Sequence, residues 1–296
     1  MRLQFQNVDK AFGEKQVLKG VSFQAESGKA FGLLGRNGAG KTTAIRILMN
    51  VFPADAGEIT IDGAPIHFQD IGVGYMPEER GLYPKKIIID QLSYFAQLKG
   101  MEKKQAIKSI DFWLERLGVT EYRNRRLDTL SKGNQQKIQL ITALAHNPKI
   151  IVLDEPFSGL DPVNAMLLKD VVKEQIAQDK IVLFSSHQMH YIEEFCDSIA
   201  ILNAGKVVVH GDIRAIKQSY VRDKLIVKTM EPQRLLLELG DKASLLEDGA
   251  VLVKLSCEND KQEMMQTLIN AYDVDEIKVF EPSLNDIFVE FTGGQV

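Results

Sequence analysis

Cysteine is scarce in this chain of 296 residues: only Cys196 and Cys257 occur. They stand far apart, with no Cys-x-x-Cys or histidine spacing that would hold a metal, so both read as buried, reduced thiols. An excess of positive charge is also missing, since 36 Lys and Arg face 40 Asp and Glu for a formal net charge of -4. A nucleic-acid-binding protein usually shows a clearly basic domain, and no nucleic acid partner is expected here. Nor does any stretch approach the ~18 consecutive apolar residues that a membrane-spanning helix needs. The opening MRLQFQNVDK has no apolar core between basic residues and a small-residue cleavage site, so no secretory leader is expected. If the chain works at a membrane, other chains must cross it.

What is present is punctuated by glycine. The chain length suits a main unit plus a smaller one at roughly 150 residues per domain. Residues 1 to 35 alternate in short apolar runs with turns between them, which predicts strands. From Thr42 to Phe52 the spacing of Ile45, Leu48, Met49 and Phe52 predicts a helix, with Pro53 just beyond. Residues 88 to 146 carry three helical patterns, the last from about Asn134 to His146, and predict a helical subdomain inserted into an α/β core. The runs Ile150 to Leu153 and Ile181 to Phe184, with a helical Val163 to Gln178 between them, suit parallel strands buried on both faces. Beyond about Tyr220 shorter elements alternate without a catalytic motif. The expected division is therefore 1–219 and a small α+β domain at 220–296.

The segment Gly35-Arg36-Asn37-Gly38-Ala39-Gly40-Lys41-Thr42 fits G-x-x-x-x-G-K-[ST] and lies between a strand and a helix, the context a phosphate-binding loop requires. Its glycines let successive N–H groups point at phosphate oxygens, and the helix start adds its dipole. Lys41 is expected to reach the β- and γ-phosphates and the Thr42 hydroxyl to ligate Mg²⁺, with Thr43 completing the nucleotide-binding stretch. Ile150 to Glu155 is an apolar strand ending in two carboxylates. Alone it reads equally as a buried strand with a solvated acidic end. Beside a phosphate-binding loop, Asp154 becomes a magnesium anchor and Glu155 the group that orients or deprotonates the attacking water.

Leu130-Ser131-Lys132-Gly133-Asn134, shortly before that strand, resembles the signature motif LSGGQ of the ABC ATPases. Ser158-Gly159-Leu160-Asp161 resembles their D-loop and His187 their switch histidine. The likeness covers roughly residues 1 to 218. It implies the P-loop NTPase fold of ABC type, with antiparallel N-terminal strands, and ATP with Mg²⁺ as ligands. It also implies a head-to-tail homodimer in which ATP is sandwiched. Ser131, Lys132, Gly133, Asn134 and Asp161 would then act on nucleotide held by the other chain, while His187 reaches the γ-phosphate of its own. Phe12 aligns with the aromatic that stacks on adenine, its alternative being core packing as for Phe5. His67, His146, His190 and His210 match no motif.

Two departures stand out. The expected glutamine after Tyr75-Met76-Pro77 is Glu78, which can still offer Mg²⁺ an oxygen. The signature carries Lys132 and Asn134 instead of glycine and glutamine, and Arg123, Arg125 and Arg126 just upstream read either as a basic rim with Lys132 or as a solvated face. The run Pro77-Glu78-Glu79-Arg80-Gly81-Leu82-Tyr83-Pro84 and the C-terminal extension resemble ATPases of bacterial ABC-2-type exporters, including the sodium and drug efflux group. Ser283 with Asp286 also reads locally as a capping box. The resemblance implies a peripheral subunit on the cytoplasmic face of the cell membrane, docked on a separate transmembrane permease. The alternatives are a soluble ABC ATPase acting on nucleic acid or ribosomes, and an importer ATPase.

Overall fold

Three segments that are buried along their whole length form the middle of a sheet: β3 (Ala30–Gly35), β7 (Ile150–Asp154) and β8 (Ile181–Ser186). Strands of this type, apolar on both faces, need cover above and below, and parallel pairing with helical crossovers supplies it. In the computed structural model, which describes residues 1–66, 71–79, 81–158, 160–220, 223–257 and 260–293, they belong to a six-stranded sheet of order β10-β9-β3-β8-β7-β6. The outer members are β6 (Val73–Met76), β9 (Ser198–Asn203) and β10 (Lys206–Asp212), and the β9–β10 pair alone runs antiparallel. His67, Arg80 and Gly159 lie outside the described residues.

A second sheet, wholly antiparallel, joins β1 (Arg2–Phe12), β2 (Lys15–Glu26), β4 (Ala56–Ile61) and β5 (Ala64–Pro65). Its inward face stacks Phe5 on Phe23 with centroids 4.2 Å apart, and Phe23 on Phe31 of β3 at 5.2 Å. One apolar core thus joins the two sheets around α1 (Lys41–Leu48). The helix expected to reach Phe52 stops at Leu48. Asn50 takes a left-handed φ of 56°, and the Val51 N–H closes back on the Arg46 carbonyl, a glycine-like stop that the apolar spacing did not reveal.

The helical region is built from α2 (Ile88–Leu98), α3 (Lys103–Arg116) and α4 (Lys132–Leu144). Helix α4 approaches β6 so closely that a Cβ on Gly74 would stand 2.0 Å from the Ala143 carbonyl oxygen. Then come α5 (Pro162–Ala177), α6 (Met189–Phe195) and α7 (Ile213–Gln218).

The residues fall into two compact units, Met1–Ile213 with Phe288–Val296, and Arg214–Ile287. The second unit contains β11 (Lys224–Thr229), α8 (Pro232–Leu239), β12 (Ala243–Leu245), β13 (Val251–Lys254), α9 (Lys261–Ala271) and β14 (Val274–Val279), followed by the start of α10 (Leu284–Thr292). The succession βαββαβ with sheet order β12-β13-β11-β14 is the ferredoxin-like split arrangement. Alternation in β11 and β13 sends Leu225, Val227, Val251 and Val253 to one face, against Leu235 of α8 and Leu268 of α9. The capping box forms as expected: the Asp286 N–H donates to the Ser283 hydroxyl at 3.1 Å and the Ser283 N–H to the Asp286 carboxylate at 2.8 Å.

Of the two cysteines only Cys196 is buried; Cys257 is exposed, contrary to expectation, because it lies past the end of β13, where its thiol faces Asp260 at 3.1 Å.

Candidate functional site

Parallel strands of one sheet bring their carboxyl ends to the same edge, and open α/β sheets bind ligands there. β8 lies between β3 and β7, with Leu34 level with Ser186 and Asp154 level with Ser185. The loop after Gly35, the carboxylates at Asp154 and Glu155, and His187 therefore converge, although their sequence positions are far apart.

The loop runs into α1 through Gly40, whose φ of 113° disfavours any side chain. A Cβ there would stand 2.6 Å from Leu18 Cδ2, so the close approach of loop and β2 also demands glycine. Lys41 is buried, and its ammonium donates to the Gly35 carbonyl at 2.6 Å. Burial pushes its pKa below the ordinary value, while the negative charges of Glu155, Asp154 and Glu78 act the other way. Around it opens a cleft of about 430 Å³ lined by Arg36, Asn37, Gly38, Gly40, Lys41, Thr42, Thr43, Glu78, Asp154 and Glu155. Of the loop, Gly35 and Ala39 are buried beneath and shape the cleft without lining it.

Asp154 is 3% exposed, and the Tyr75 hydroxyl donates to it at 3.4 Å. Burial, with Glu78 and Glu155 adding negative charge, raises its carboxyl above the usual carboxylate range. A buried carboxylate facing two others calls for a cation. Among the described residues no three His, Cys, Asp or Glu side chains stand close enough to hold a metal by themselves. The donor set, one hydroxyl and one or two carboxylates, suits Mg²⁺, a hard ion that takes its remaining oxygens from water and phosphate.

Glu155 has a left-handed φ of 48°, an uncommon conformation for a residue with a side chain. Its side chain is held from both sides. One carboxylate oxygen accepts from the His187 backbone N–H at 2.9 Å and meets His187 Nδ1 at 2.6 Å; the other accepts from the Ser186 hydroxyl at 2.9 Å. With Nδ1 as donor, His187 Nε2 is left to face outward from a ring that is 55% exposed.

The signature residues stand elsewhere. Ser131 caps α4, its hydroxyl accepting from the Asn134 N–H at 3.4 Å, and Gly133 lies in the first turn. Lys132 lines a different pocket, about 250 Å³, with Glu78, Gln136, Gln139, Glu155 and Ser158. Asp161 caps α5 by accepting from the Asn164 N–H at 2.9 Å. Arg123 and Arg126 are engaged by Asp111 and Asp128, while Arg125 lies over the ring of Tyr122. Phe12 is 49% exposed at the end of β1 and meets Phe52 edge-on at 5.4 Å. It is not among the residues lining the cleft.

Sequence reasoning missed Lys15, Gln16, Val17, Lys19 and Ala204, which also line the cleft, and the hydroxyls of Tyr75 and Ser186. No motif marks the first five; the first four come on β2, which pairs with β1, and Ala204 from the turn between β9 and β10.

A phosphate-binding loop entering a helix from a buried parallel strand, beside a strand that ends in paired carboxylates, defines a P-loop nucleoside triphosphatase. The chain belongs to the family of ABC transporter ATP-binding proteins, whose members hydrolyse ATP, and it is an ATPase of that type. The ABC transporter family model matches residues 18–158, and the model of the C-terminal domain of DrrA1-3-like ATP-binding proteins matches 211–292. The chain is 42% identical over 294 residues to the uncharacterized ABC transporter ATP-binding protein YhaQ of Bacillus subtilis, covering 98% of each. It is 27% identical over 299 residues to the Nod factor export ATP-binding protein I of Rhizobium etli, covering 99% of this chain and 94% of that one. The dimeric structure of MJ0796, a bacterial ABC transporter cassette, shares the fold at a TM-score of 0.65 and 23% identity, over 72% of this chain and 99% of that one.

Proposed function

We propose that this ATPase drives export through a separate membrane permease, hydrolysing MgATP between two head-to-tail copies at the cytoplasmic face of the membrane. The observation that carries the catalytic part is the clamped carboxylate of Glu155, held by Ser186 and His187 at the rim of the Lys41 cleft. Lys41 and the N–H groups of Gly38 to Thr42 bind and orient the triphosphate. Glu155 accepts the proton of the attacking water, and His187 steadies that carboxylate while presenting Nε2 toward the γ-phosphate. Thr42, Asp154 and Glu78 would hold Mg²⁺, which would supply neutralisation of the triphosphate charge.

Support for the two-chain site comes from Ser131 to Asn134 standing outside the lining of the Lys41 cleft: an exposed helix start of this kind suits nucleotide carried by a second chain. The dimeric MJ0796 cassette is consistent with that reading. Export is supported by the likeness to the Nod factor export protein and by the DrrA-like C-terminal match. The permease is placed on a separate chain in this reading; no helix among the described residues is long and apolar enough to cross a bilayer. In this reading residues 1–219 form the ATP-binding domain and 220–296 an accessory one, of which Phe288–Val296 groups with the first compact unit.

The test is purification of the full chain from detergent-solubilised membranes with MgATP. Recovery of a polytopic membrane protein that raises its ATPase rate is the expected result; recovery of ribosomes or DNA in its place overturns the transport reading.

A further inference from the structure

Helix α4 carries amide side chains at positions 136 and 139, and with Lys132 these fall at i, i+4 and i+7 on one face. That face meets both segments that bear catalytic carboxylates. Gln136 Nε2 donates to the Pro156 carbonyl at 2.5 Å, next to Glu155. Gln139 Nε2 donates to the Pro77 carbonyl at 2.6 Å and to the Glu79 carbonyl at 3.2 Å, bracketing Glu78. Gln139 is 7% exposed, so its amide makes these bonds away from bulk water, where an unmatched carbonyl is costly.

Glu78 itself is exposed, and among the described residues no hydrogen bond holds its side chain. Its placement comes through its backbone, and two carbonyls flanking one residue, both taken by a single amide, fix that backbone to α4. Helix α4 is in turn set against β6 at Gly74. We propose that Gln139 is a positioning residue: it ties the loop bearing Glu78 to the helix whose first turn is the signature, so that the magnesium-side carboxylate and the signature move as one body. Lys132 at the start of the helix and Glu78 line the same 250 Å³ pocket, which this tie keeps assembled. A second chain's nucleotide pressing on Ser131 and Gly133 would thereby reposition Glu78 in the first chain's own site.

The proposal rests on Glu78 as an oxygen donor to magnesium, and a double-mutant cycle separates the two claims. Steady-state ATPase activity of the full chain across Mg²⁺ concentrations is measured for wild type, Gln139→Met, Glu78→Ala and the pair, together with ATP binding by calorimetry over the same Mg²⁺ range, in which the Mg²⁺ needed for tight binding is expected to rise in Gln139→Met. Methionine keeps the volume and removes both donors. The expected result for Gln139→Met is a fall in kcat on the order of ten- to a hundredfold, with KM for ATP little changed and more Mg²⁺ needed for half-maximal rate. In the Glu78→Ala background the same substitution is expected to change nothing further. Equal losses from Gln139→Met in both backgrounds overturn the tie and leave Gln139 a packing residue. A Glu78→Ala chain with wild-type rate and magnesium dependence overturns instead the role of Glu78. Should Gln139→Met not fold, Gln139→Ala, the best helix former, replaces it in the same cycle.

Discussion

The two units of this chain differ in what they bury. In Met1–Ile213 the interior holds Lys41, Asp154, Glu155, Ser185 and Ser186 around the cleft, and Gln139 beneath the Glu78 loop. In Arg214–Ile287 no polar side chain is buried among the described residues; Leu225, Val227, Leu235, Val251, Val253 and Leu268 fill the core. Removing a charged group from water costs several kcal/mol even after the surroundings relax, so a fold that carries three such groups in one place, Lys41, Asp154 and Glu155, gives up stability there. The difference assigns chemistry to the first unit and leaves the second to shape and assembly.

Glu155→Gln should break that contrast most sharply, because it keeps the side chain's size and an oxygen to accept from the His187 N–H but removes the proposed base. Turnover is expected to fall by ~10²- to 10⁴-fold while ATP affinity by calorimetry stays near wild type. The variant is also expected to accumulate as a dimer with MgATP on size exclusion. Near-normal turnover removes Glu155 from the chemistry, and loss of ATP binding makes it structural.

An equally large effect of the opposite kind belongs to the second unit. Leu225→Ala empties a fully buried site in β11 and is expected to cost about 2–5 kcal/mol in the unfolding of that unit. ATP affinity should not change. Nor should it change when residues 220–296 are removed, which tests the proposed independence of 1–219. If either alteration weakens ATP binding, the division of labour is wrong.

Acid should divide the units next. The pKa of His146 is pushed down to about 4 by burial, with the positive charges of Lys99 and Lys180 adding to it. Its ring meets the Val73 carbonyl at 3.3 Å through Nε2, and the buried Nδ1 has no partner among the described residues. The folded value lies below the ordinary 6.5, so the unfolded chain binds the proton first. The group's contribution is complete above about pH 6.5 and is lost as pH falls toward 4, a loss of at most about 3 kcal/mol. Urea unfolding of the first unit followed at pH 7.5 and pH 4.5 should show the decline, and His146→Leu should flatten it. An unchanged slope in the variant assigns the acid sensitivity to other groups.

The motifs lying in continuous stretches were legible because their chemistry is local. Gly40 and Lys41 need only a strand before them and a helix after, and Asp154 and Glu155 only an apolar strand. For the second unit the sequence showed only a succession of short elements; its core became visible in the packing of β11 and β13 against α8 and α9. What stayed hidden depends on pairing across the chain. Lys15 and Lys19 line the cleft because β2 pairs with β1, and Gln139 reaches Pro77 and Glu79 because α4 packs on β6. The clamp on Glu155 was half legible: His187 stood out by resemblance, but Ser186 looked like the ordinary end of an apolar strand. Cys257 was misread because burial was inferred from residue type, whereas its place after β13 is a surface turn.

Phe12 gives the smallest effect and the finest test of the contrast. At 49% exposure it is not core, and its partners are Phe52 edge-on at 5.4 Å and the Lys10 ammonium 5.7 Å from the ring centre. A ring this exposed can stack on a flat base, a contact worth about 0.5–1.5 kcal/mol beyond the buried area. Phe12→Ala should therefore weaken ATP binding by roughly two- to tenfold. Inorganic triphosphate, which engages the same loop but has no base, should bind as before. Tyr272 of the second unit serves as the control: it is an aromatic with a cation, Arg234, 5.0 Å from its ring centre, yet it belongs to the unit without buried polar groups. Tyr272→Ala should shift neither ligand. If Phe12→Ala weakens both ligands equally, the ring acts through the shape of β1, and adenine must be held by another part of the cleft.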